Sequence, residues 1–208
     1  MLSAPPGSGK TTIAPLWLSR QSWLRKGKIL MLEPRRLAAR AAAARMAELL
    51  GEEVGDTIGY RVRHERRVSP NTRIEVITEG ILTRRLQQDP ELEGVELVIF
   101  DEFHERSLHA DLALAFCLDA REVLRQDLRL LVMSATLDSD AVARLLHGAP
   151  VITGEGLSFP VETHYLARQA SGKIAQTAAT GVVRALSEQS GDVLVFLPGT
   201  AEIRTTAT

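Results

Sequence analysis

The chain has 208 residues, enough for one large domain or for one and a half ordinary ones. With 45% hydrophobic and 25% charged residues it has the composition of a globular chain, which excludes the disordered, collagen-like and fibrous classes. Its 25 basic and 26 acidic side chains leave a formal net charge of -1, so the total charge indicates no particular ligand.

Short apolar runs alternate along the chain with segments of helical spacing, which is typical of a parallel sheet covered by helices. The predicted strands are Ile29–Glu33, Ile74–Thr78, Val95–Phe100, Leu130–Met133, Val161–Leu166 and Val193–Leu197. The predicted helices are Thr11–Leu24, Arg35–Leu50, Leu108–Arg125, Asp140–Leu146 and Lys173–Gln189. Each helix is long enough to cross between parallel strands, so the expected fold class is α/β.

A change in composition divides the chain. Residues 154–160 contain two glycines and a proline and interrupt the alternation. We therefore expect a first domain over residues 1–154, a linker over residues 155–160 and an incomplete second domain over residues 161–208. The chain starts only a few residues before a glycine-rich turn and stops at Thr208 inside a predicted helix, so both ends are expected to be truncated.

The expected cellular location follows from three features of the sequence. Cys117 is the single cysteine, which excludes an internal disulfide, and no apolar run reaches the roughly 20 residues that cross a bilayer. No basic and apolar leader follows Met1. These features predict a cytoplasmic protein with no membrane partner.

A glycine-rich turn lies between a short apolar strand and a helix. It consists of Gly7, Ser8, Gly9, Lys10, Thr11 and Thr12. This context is typical of a phosphate-binding loop, in which backbone N–H groups and a helix N-terminus surround the phosphate oxygens. Lys10 would reach the β- and γ-phosphates, and Thr11 would offer its hydroxyl to Mg²⁺. Because Ala4 stands where the usual pattern has glycine, a chance glycine turn stays open for the loop taken alone.

Two adjacent carboxylates, Asp101 and Glu102, follow the apolar run that ends at Phe100. Asp101 would hold Mg²⁺ through a water molecule, and Glu102 would polarise the water that attacks the γ-phosphate. Taken alone, the pair can also be an ordinary strand end. Together with the glycine-rich loop it predicts a nucleoside triphosphatase that uses ATP and Mg²⁺.

The segment Asp101-Glu102-Phe103-His104-Glu105-Arg106 resembles the DEAH motif of superfamily 2 helicases, with Phe103 in place of the usual alanine. Other segments follow in the order of that family: Lys10 to Thr12 resembles motif I, Pro34 to Ala39 motif Ia, Thr78 to Gly80 motif Ib, Ser134 to Thr136 motif III, and Phe196 to Gly199 the motif IV region. Residues 32–36 and 101–107 are similar to the bacterial HrpB-type subgroup of ATP-dependent RNA helicases.

The resemblance implies a P-loop RecA-like parallel sheet with helices on both faces, followed by the start of a second RecA-like domain. It implies a helicase that hydrolyses ATP between two such domains to move along or remodel RNA. His104 joins Lys10, Asp101 and Glu102 as an implied catalytic residue.

Three further residues take their expected roles from the resemblance. Ser134 and Thr136 would couple nucleotide state to strand movement through hydrogen bonds to His104, and an ordinary turn from strand to helix stays open as the alternative. Arg45 would stack on the nucleotide base, so that other nucleoside triphosphates are accepted besides ATP. For Arg45, a solvated helix face stays open as the alternative.

The expected RNA contacts are Arg35, Arg36, Thr78 and Gly80, which follow two strands at one edge of the sheet. Eleven arginines and seven acidic residues lie between positions 35 and 85, whereas positions 89–105 carry seven acidic residues and no lysine or arginine. Contacts of arginine with phosphate give affinity without sequence preference. The expected partner is single-stranded RNA or an RNA duplex with an overhang, and the arginines at positions 61–67 can equally form a solvated hairpin surface.

Two other functions stay open. No glutamine- and arginine-rich motif VI occurs before Thr208, so the chain as given can be a nucleotide- and RNA-binding module with little hydrolysis. It can also be a P-loop protein of another kind, such as a metabolite kinase or a DNA-directed translocase. Kinases, however, do not need Ser134-Ala135-Thr136 or Pro34-Arg35-Arg36.

Overall fold

A computed structural model of the chain describes residues 1–24, 27–135, 139–156, 160–165 and 174–207. The chain divides into two compact units, Met1–Ser158 and Phe159–Thr208. None of the described helices is long and apolar enough to cross a membrane.

The described residues of the first unit form an eight-stranded sheet and five α-helices. The strands are β1 (Leu2–Ser3), β2 (Lys28–Glu33), β3 (Ile58–Val62), β4 (Glu65–Arg67), β5 (Ile74–Thr78), β6 (Val95–Phe100), β7 (Arg129–Ser134) and β8 (Ile152–Thr153). The helices are α1 (Ile13–Ser19), α2 (Arg36–Leu50), α3 (Glu79–Gln88), α4 (Leu108–Val123) and α5 (Ser139–Leu145), with a short 3-10 turn at Phe103–Glu105.

The strand order is β4-β3-β5-β2-β6-β7-β1-β8, and every pair is parallel except the β3–β4 hairpin. In the register, Glu33 of β2 lies opposite Thr78 of β5, and Leu32 lies opposite Phe100 of β6. The carboxyl ends of these three strands therefore meet at one edge of the sheet. In open α/β sheets this is the edge where ligands bind.

Helices cover both faces of the sheet, because side chains of the central strands alternate between two cores. Leu30 and Leu32 of β2 pack in the core that α3, α4 and α5 cover. Ile29 and Met31 pack in the core that α1 and α2 cover. All four are essentially inaccessible to solvent, as expected for a parallel strand that is buried on both faces.

Local signals set the ends of the main helices. Alanines on α2 let it pack closely on the sheet, and it ends at Gly51, whose left-handed φ of 70° suits glycine. Helix α4 begins after Ser107, whose hydroxyl accepts a hydrogen bond from the Ala110 N–H.

The structure confirms the α/β class and four predicted strands, β2, β5, β6 and β7, to within one residue at either end. Helix α1 is shorter than predicted at both ends, because Thr11 and Thr12 belong to the preceding loop and residues 20–24 are not helical. Helix α3 has no counterpart among the predicted elements, and the β3–β4 hairpin corresponds to the hairpin left open as an alternative for positions 61–67.

In the second unit the helices α6 (Ile174–Glu188) and α7 (Thr200–Ala207) contact each other. The strand predictions for residues 161–166 and 193–197 are wrong for the residues that are described, which form no ladder there; Leu166 lies outside them. Val161 and Phe196 are each 87% exposed. An apolar run forms a strand only when a neighbouring strand accepts its hydrogen bonds, and no strand is found among the described residues of this unit.

Candidate functional site

The glycine-rich loop connects β1 to α1 at the carboxyl edge of the sheet. Gly7 and Gly9 have φ values of 76° and 82°, which L-amino acids with a side chain rarely adopt. A Cβ on Gly9 would also approach Ile13 Cγ1 to 3.0 Å. Ala4 is not among the residues with positive φ, so the loop does not need glycine at this position. An alanine at this position therefore fits the loop backbone without strain.

Lys10 lies inside this loop and is only 7% exposed. Its ammonium group donates hydrogen bonds to the carbonyls of Ala4 and Pro5, the latter at 2.8 Å, and lies 3.5 Å from Ser8 Oγ. The loop thus holds a buried cation among its own backbone oxygens. A phosphate group offers the same kind of acceptor with more negative charge.

Thr11 and Asp101 are ninety residues apart in the chain and in direct contact. Thr11 Oγ1 donates a hydrogen bond of 2.6 Å to Asp101 Oδ2. Asp101 Oδ1 accepts a 2.8 Å hydrogen bond from the Glu102 N–H, which fixes the carboxylate at the end of β6. Asp101 is 5% exposed. A hydroxyl and a carboxylate side by side form the oxygen donor set that Mg²⁺ prefers, so these two residues fit the metal that the sequence predicts.

Glu102 and His104 form a second pair on the same segment. Glu102 has the left-handed backbone angles φ 49° and ψ 33°, and its Oε2 lies 3.3 Å from His104 Nε2. His104 Nδ1 accepts a hydrogen bond of 3.4 Å from the Ala135 N–H at the end of β7. Because Nδ1 accepts, the neutral imidazole carries its proton on Nε2, the nitrogen that faces Glu102.

Glu33 is a site residue that the sequence analysis missed. It ends β2, is 1% exposed, and its Oε1 has no hydrogen-bond partner among the described residues. Burial raises the pKa of Glu33 to about 9, helped by the neighbouring carboxylates of Asp101, Glu102 and Glu105. The signal was present: an acidic residue closes a buried apolar strand at Glu33 just as Asp101 does after β6.

One cavity of about 360 Å³ lies beside Thr11, Glu33 and Glu102. It is lined by Thr11, Thr12, Glu33, Pro34, Arg35, Ala38, Ala41, Ala42, Arg45, Glu102 and Glu105. The cavity therefore brings Arg45 to the same space as Thr11 and Glu102. The Arg45 guanidinium is 57% exposed and pairs with Glu48 at 2.7 Å.

The residues that were predicted to contact RNA lie at two adjacent corners of the sheet. Arg35 and Arg36 begin α2 after β2, and Thr78 and Gly80 begin α3 after β5, the neighbouring strand. Arg35, Arg36 and Gly80 are exposed. Arg35 also pairs with Glu105 at 2.9 Å.

The predicted coupling residues and the arginines at positions 61–67 lie in different environments. Ser134 is fully buried at the end of β7, next to the Ala135 N–H that contacts His104. Thr136 lies outside the described residues. Arg61 is engaged inside the fold, because its Nε lies 2.6 Å from the buried carboxylate of Glu75. Arg66 and Arg67 are exposed on the β3–β4 hairpin.

Comparison with known proteins gives the family. The model of the DEAD/DEAH box helicase family matches residues 1–145. HrpB of Escherichia coli K12, named an ATP-dependent RNA helicase, is 56% identical over 204 residues, which are 98% of this chain and 25% of that protein. A Haemophilus influenzae homologue of the ATP-dependent RNA helicase HrpA is 37% identical over 211 residues, which are 100% of this chain and 16% of that protein.

A solved structure agrees. The crystal structure of the Escherichia coli DEAH/RHA helicase HrpB superposes with a TM-score of 0.89 at 55% identity, covering 99% of this chain and 26% of that one. The chain spans a quarter or less of the length of the curated relatives it matches. These matches confirm the RecA-like fold and the similarity to the HrpB-type subgroup. The chain belongs to the DEAD/DEAH box helicase family.

Proposed function

We propose that this chain supplies the nucleotide site of an ATP-dependent RNA helicase. The observation that carries the proposal is the contact between Thr11 and Asp101 beside the Lys10 loop, because it joins the two halves of a Mg-nucleotide site from segments ninety residues apart in the chain. The names of the relatives support RNA as the second ligand.

In the proposed mechanism, residues of this chain bind the nucleotide and orient and activate the attacking water. Lys10 and the loop N–H groups hold the β- and γ-phosphates, and Thr11 and Asp101 hold Mg²⁺. When bound, Mg²⁺ neutralises charge on the phosphates. Glu102 orients the attacking water and accepts its proton, while His104 donates to Glu102 and ties it to β7 through the Ala135 N–H.

Arg45 is proposed to stack on the nucleotide base. Its position on the wall of the same cavity as Thr11 supports this role. Base stacking by a guanidinium does not read the hydrogen-bonding edge of the base, so GTP and CTP should serve besides ATP.

The proposed RNA path runs over Arg35, Arg36, Thr78 and Gly80. Their support is that β2 and β5 are neighbours, so both corners face the same edge. The partner is single-stranded RNA, or a duplex with an overhang that offers a single strand, bound through phosphates without sequence preference. The buried single cysteine supports a cytoplasmic location.

The proposed domain division is a first RecA-like domain over residues 1–154, a linker over residues 155–160 and part of a second RecA-like domain over residues 161–208.

A second candidate function follows from the residues that line the cavity. Arg35 and Arg45 are the arginines among its described lining residues, and each pairs with a glutamate. An arginine directed at the γ-phosphate is worth roughly 10³ to 10⁵ in rate, so this chain alone can be a nucleotide- and RNA-binding module with little hydrolysis.

One experiment separates the two candidates. The ATPase rate is measured with and without poly-U RNA, on this chain and on a version lengthened past Thr208. A helicase nucleotide site predicts RNA-stimulated hydrolysis in the longer version, and a binding module predicts nucleotide and RNA binding without it. Absence of Mg-ATP binding in both would overturn the proposal.

A further inference from the structure

The segment Asp101–Ser107, which follows β6, touches both the nucleotide site and the proposed RNA edge. Glu102 near its start is the proposed base for the attacking water. Glu105 pairs with Arg35 at 2.9 Å, and Ser107 Oγ donates a hydrogen bond of 2.6 Å to Glu79 Oε2. Arg35 and Glu79 stand at the beginnings of α2 and α3, the two corners where RNA is proposed to bind.

Backbone hydrogen bonding and side-chain packing order this segment. Glu102 and Arg106 have positive φ values of 49° and 47° on either side of the 3-10 turn, and the Glu105 N–H donates to the Glu102 carbonyl at 2.9 Å. Phe103 is 2% exposed, packs edge-to-face on Phe100 with centroids 6.1 Å apart, and carries the Arg106 guanidinium over its ring. Glu105 and Glu102 are thus joined by a single turn, through which a displacement of one residue can reach the other.

The Arg35–Glu105 pair is placed to be exchanged. The Arg35 side chain is 72% exposed, whereas that of Glu105 is 33% exposed, so an incoming anion reaches the guanidinium from the solvent side. Guanidinium groups bind carboxylates and phosphates with the same two-pronged geometry. Glu105 engages Arg35 through Nη2, so an RNA phosphate that binds the guanidinium in this way competes with Glu105 for that nitrogen.

We propose that Glu105 is a positioning residue that couples RNA binding to the nucleotide site. Glu105 holds Arg35 in the absence of RNA, and an RNA phosphate replaces it, which releases Glu105 from α2 and lets the turn that carries Glu102 adjust. The hydrogen bond from Ser107 to Glu79 keeps the far end of the segment tied to α3 during this exchange. This inference rests on the proposed function, specifically on Arg35 as an RNA contact.

The test is a double-mutant cycle on RNA binding by the chain, read by fluorescence anisotropy of labelled oligo-U at low salt. Glu105→Gln removes the competitor and should tighten binding about two- to fivefold, the range of an exposed ion pair. Asp111→Asn is the matched control. Asp111 pairs with Arg106 of the same segment at 3.0 Å, and the substitution removes the same negative charge as Glu105→Gln. Its effect should be smaller, and Glu105→Gln should have no effect in an Arg35→Gln background.

A second variant keeps the charge and removes the contact. Glu105→Asp is shorter by one methylene, so it should also tighten RNA binding, which an effect of net charge would not produce. In the version lengthened past Thr208, Glu105→Gln should lower the RNA concentration for half-maximal ATPase stimulation by the same factor. A merely structural role for Glu105 would change the melting temperature but not this concentration.

The outcomes separate the inference from the proposed function. If the parent binds RNA and Glu105→Gln matches Asp111→Asn, or keeps its effect without Arg35, the inference is overturned and the proposed function stands. If the parent does not bind RNA at all, this inference and the RNA path over Arg35 are overturned, whereas the proposed nucleotide site is decided separately by Mg-ATP binding.

Discussion

Glu33 gives a prediction about stability that depends on pH. Its carboxyl is buried beside Asp101, and its pKa is raised from 4.5 to about 9. Between these two values the folded chain holds a proton on Glu33 that the unfolded chain releases. Because the folded state binds the proton more tightly, the contribution of this group to stability falls as pH rises from about 4.5 to about 9. Glu33→Gln removes the titration and keeps a side chain that can donate a hydrogen bond to Asp101.

The size of the stability change follows from the pH range over which Glu33 titrates. One proton changes the free energy of unfolding by at most about 1.4 kcal/mol per pH unit, so from pH 6 to pH 8 the parent should lose up to about 2.7 kcal/mol relative to Glu33→Gln. For a chain of this length, 1 kcal/mol corresponds to about 2–4 °C in melting temperature. The melting temperatures of the two proteins should thus diverge by up to roughly 5–11 °C over these two pH units.

The assay is thermal unfolding followed by circular dichroism at pH 5.5, 6.5, 7.5 and 8.5 for the parent and Glu33→Gln. Glu122→Gln on the exposed side of α4 makes the same chemical change away from the site and should track the parent at every pH. Titrating groups that do not interact with Glu33 are common to the proteins and cancel in the difference. A melting-temperature difference between parent and Glu33→Gln that stays constant from pH 5.5 to 8.5 would refute the reasoning.

Three more predictions concern the nucleotide. Lys10→Ala should abolish Mg-ATP stabilisation, which is about 2.7 kcal/mol for a parent at a hundred times its Kd, as measured by thermal shift. Glu102→Gln in the version lengthened past Thr208 should keep nucleotide affinity and lose about 10² or more in steady-state hydrolysis, because Glu102 acts on the attacking water. If Arg45 stacks on the base, ATP, GTP and CTP should compete with a fluorescent nucleotide at affinities within about tenfold of one another.

Each of these three predictions can be contradicted by a specific result, and the first has a matched control. Lys28→Ala removes the same charge at the far end of β2 and should leave ATP stabilisation intact; unchanged stabilisation in Lys10→Ala would remove the phosphate site from this loop. Hydrolysis by Glu102→Gln close to the parent rate would make Glu102 an ordinary strand-end carboxylate. A strong preference for ATP would require a group that reads the edge of adenine and would contradict stacking by Arg45 as the source of binding.

Local sequence was sufficient to predict the α/β class and the strand ends at which the candidate site residues lie. Buried parallel strands are short, continuous apolar runs, so β2, β5, β6 and β7 are visible without tertiary information. The glycine-rich loop is equally visible, because its turn needs positive φ at Gly7 and Gly9. Whether these residues bind nucleotide and RNA stays a prediction.

Contacts between distant segments were decided only by the tertiary structure. Glu33 looks like any strand-end residue until strand order places β2 beside β6 and leaves its carboxyl next to that of Asp101. The pairing of Arg35 with Glu105, seventy residues away, likewise depends on which corners of the sheet are neighbours. The residues at 193–197 show the converse, since their apolar pattern is that of a strand but no partner strand is found among the described residues of the second unit. Residue pattern determines which segments can form strands, whereas burial, pairing and shifted pKa values depend on the neighbours that the fold supplies.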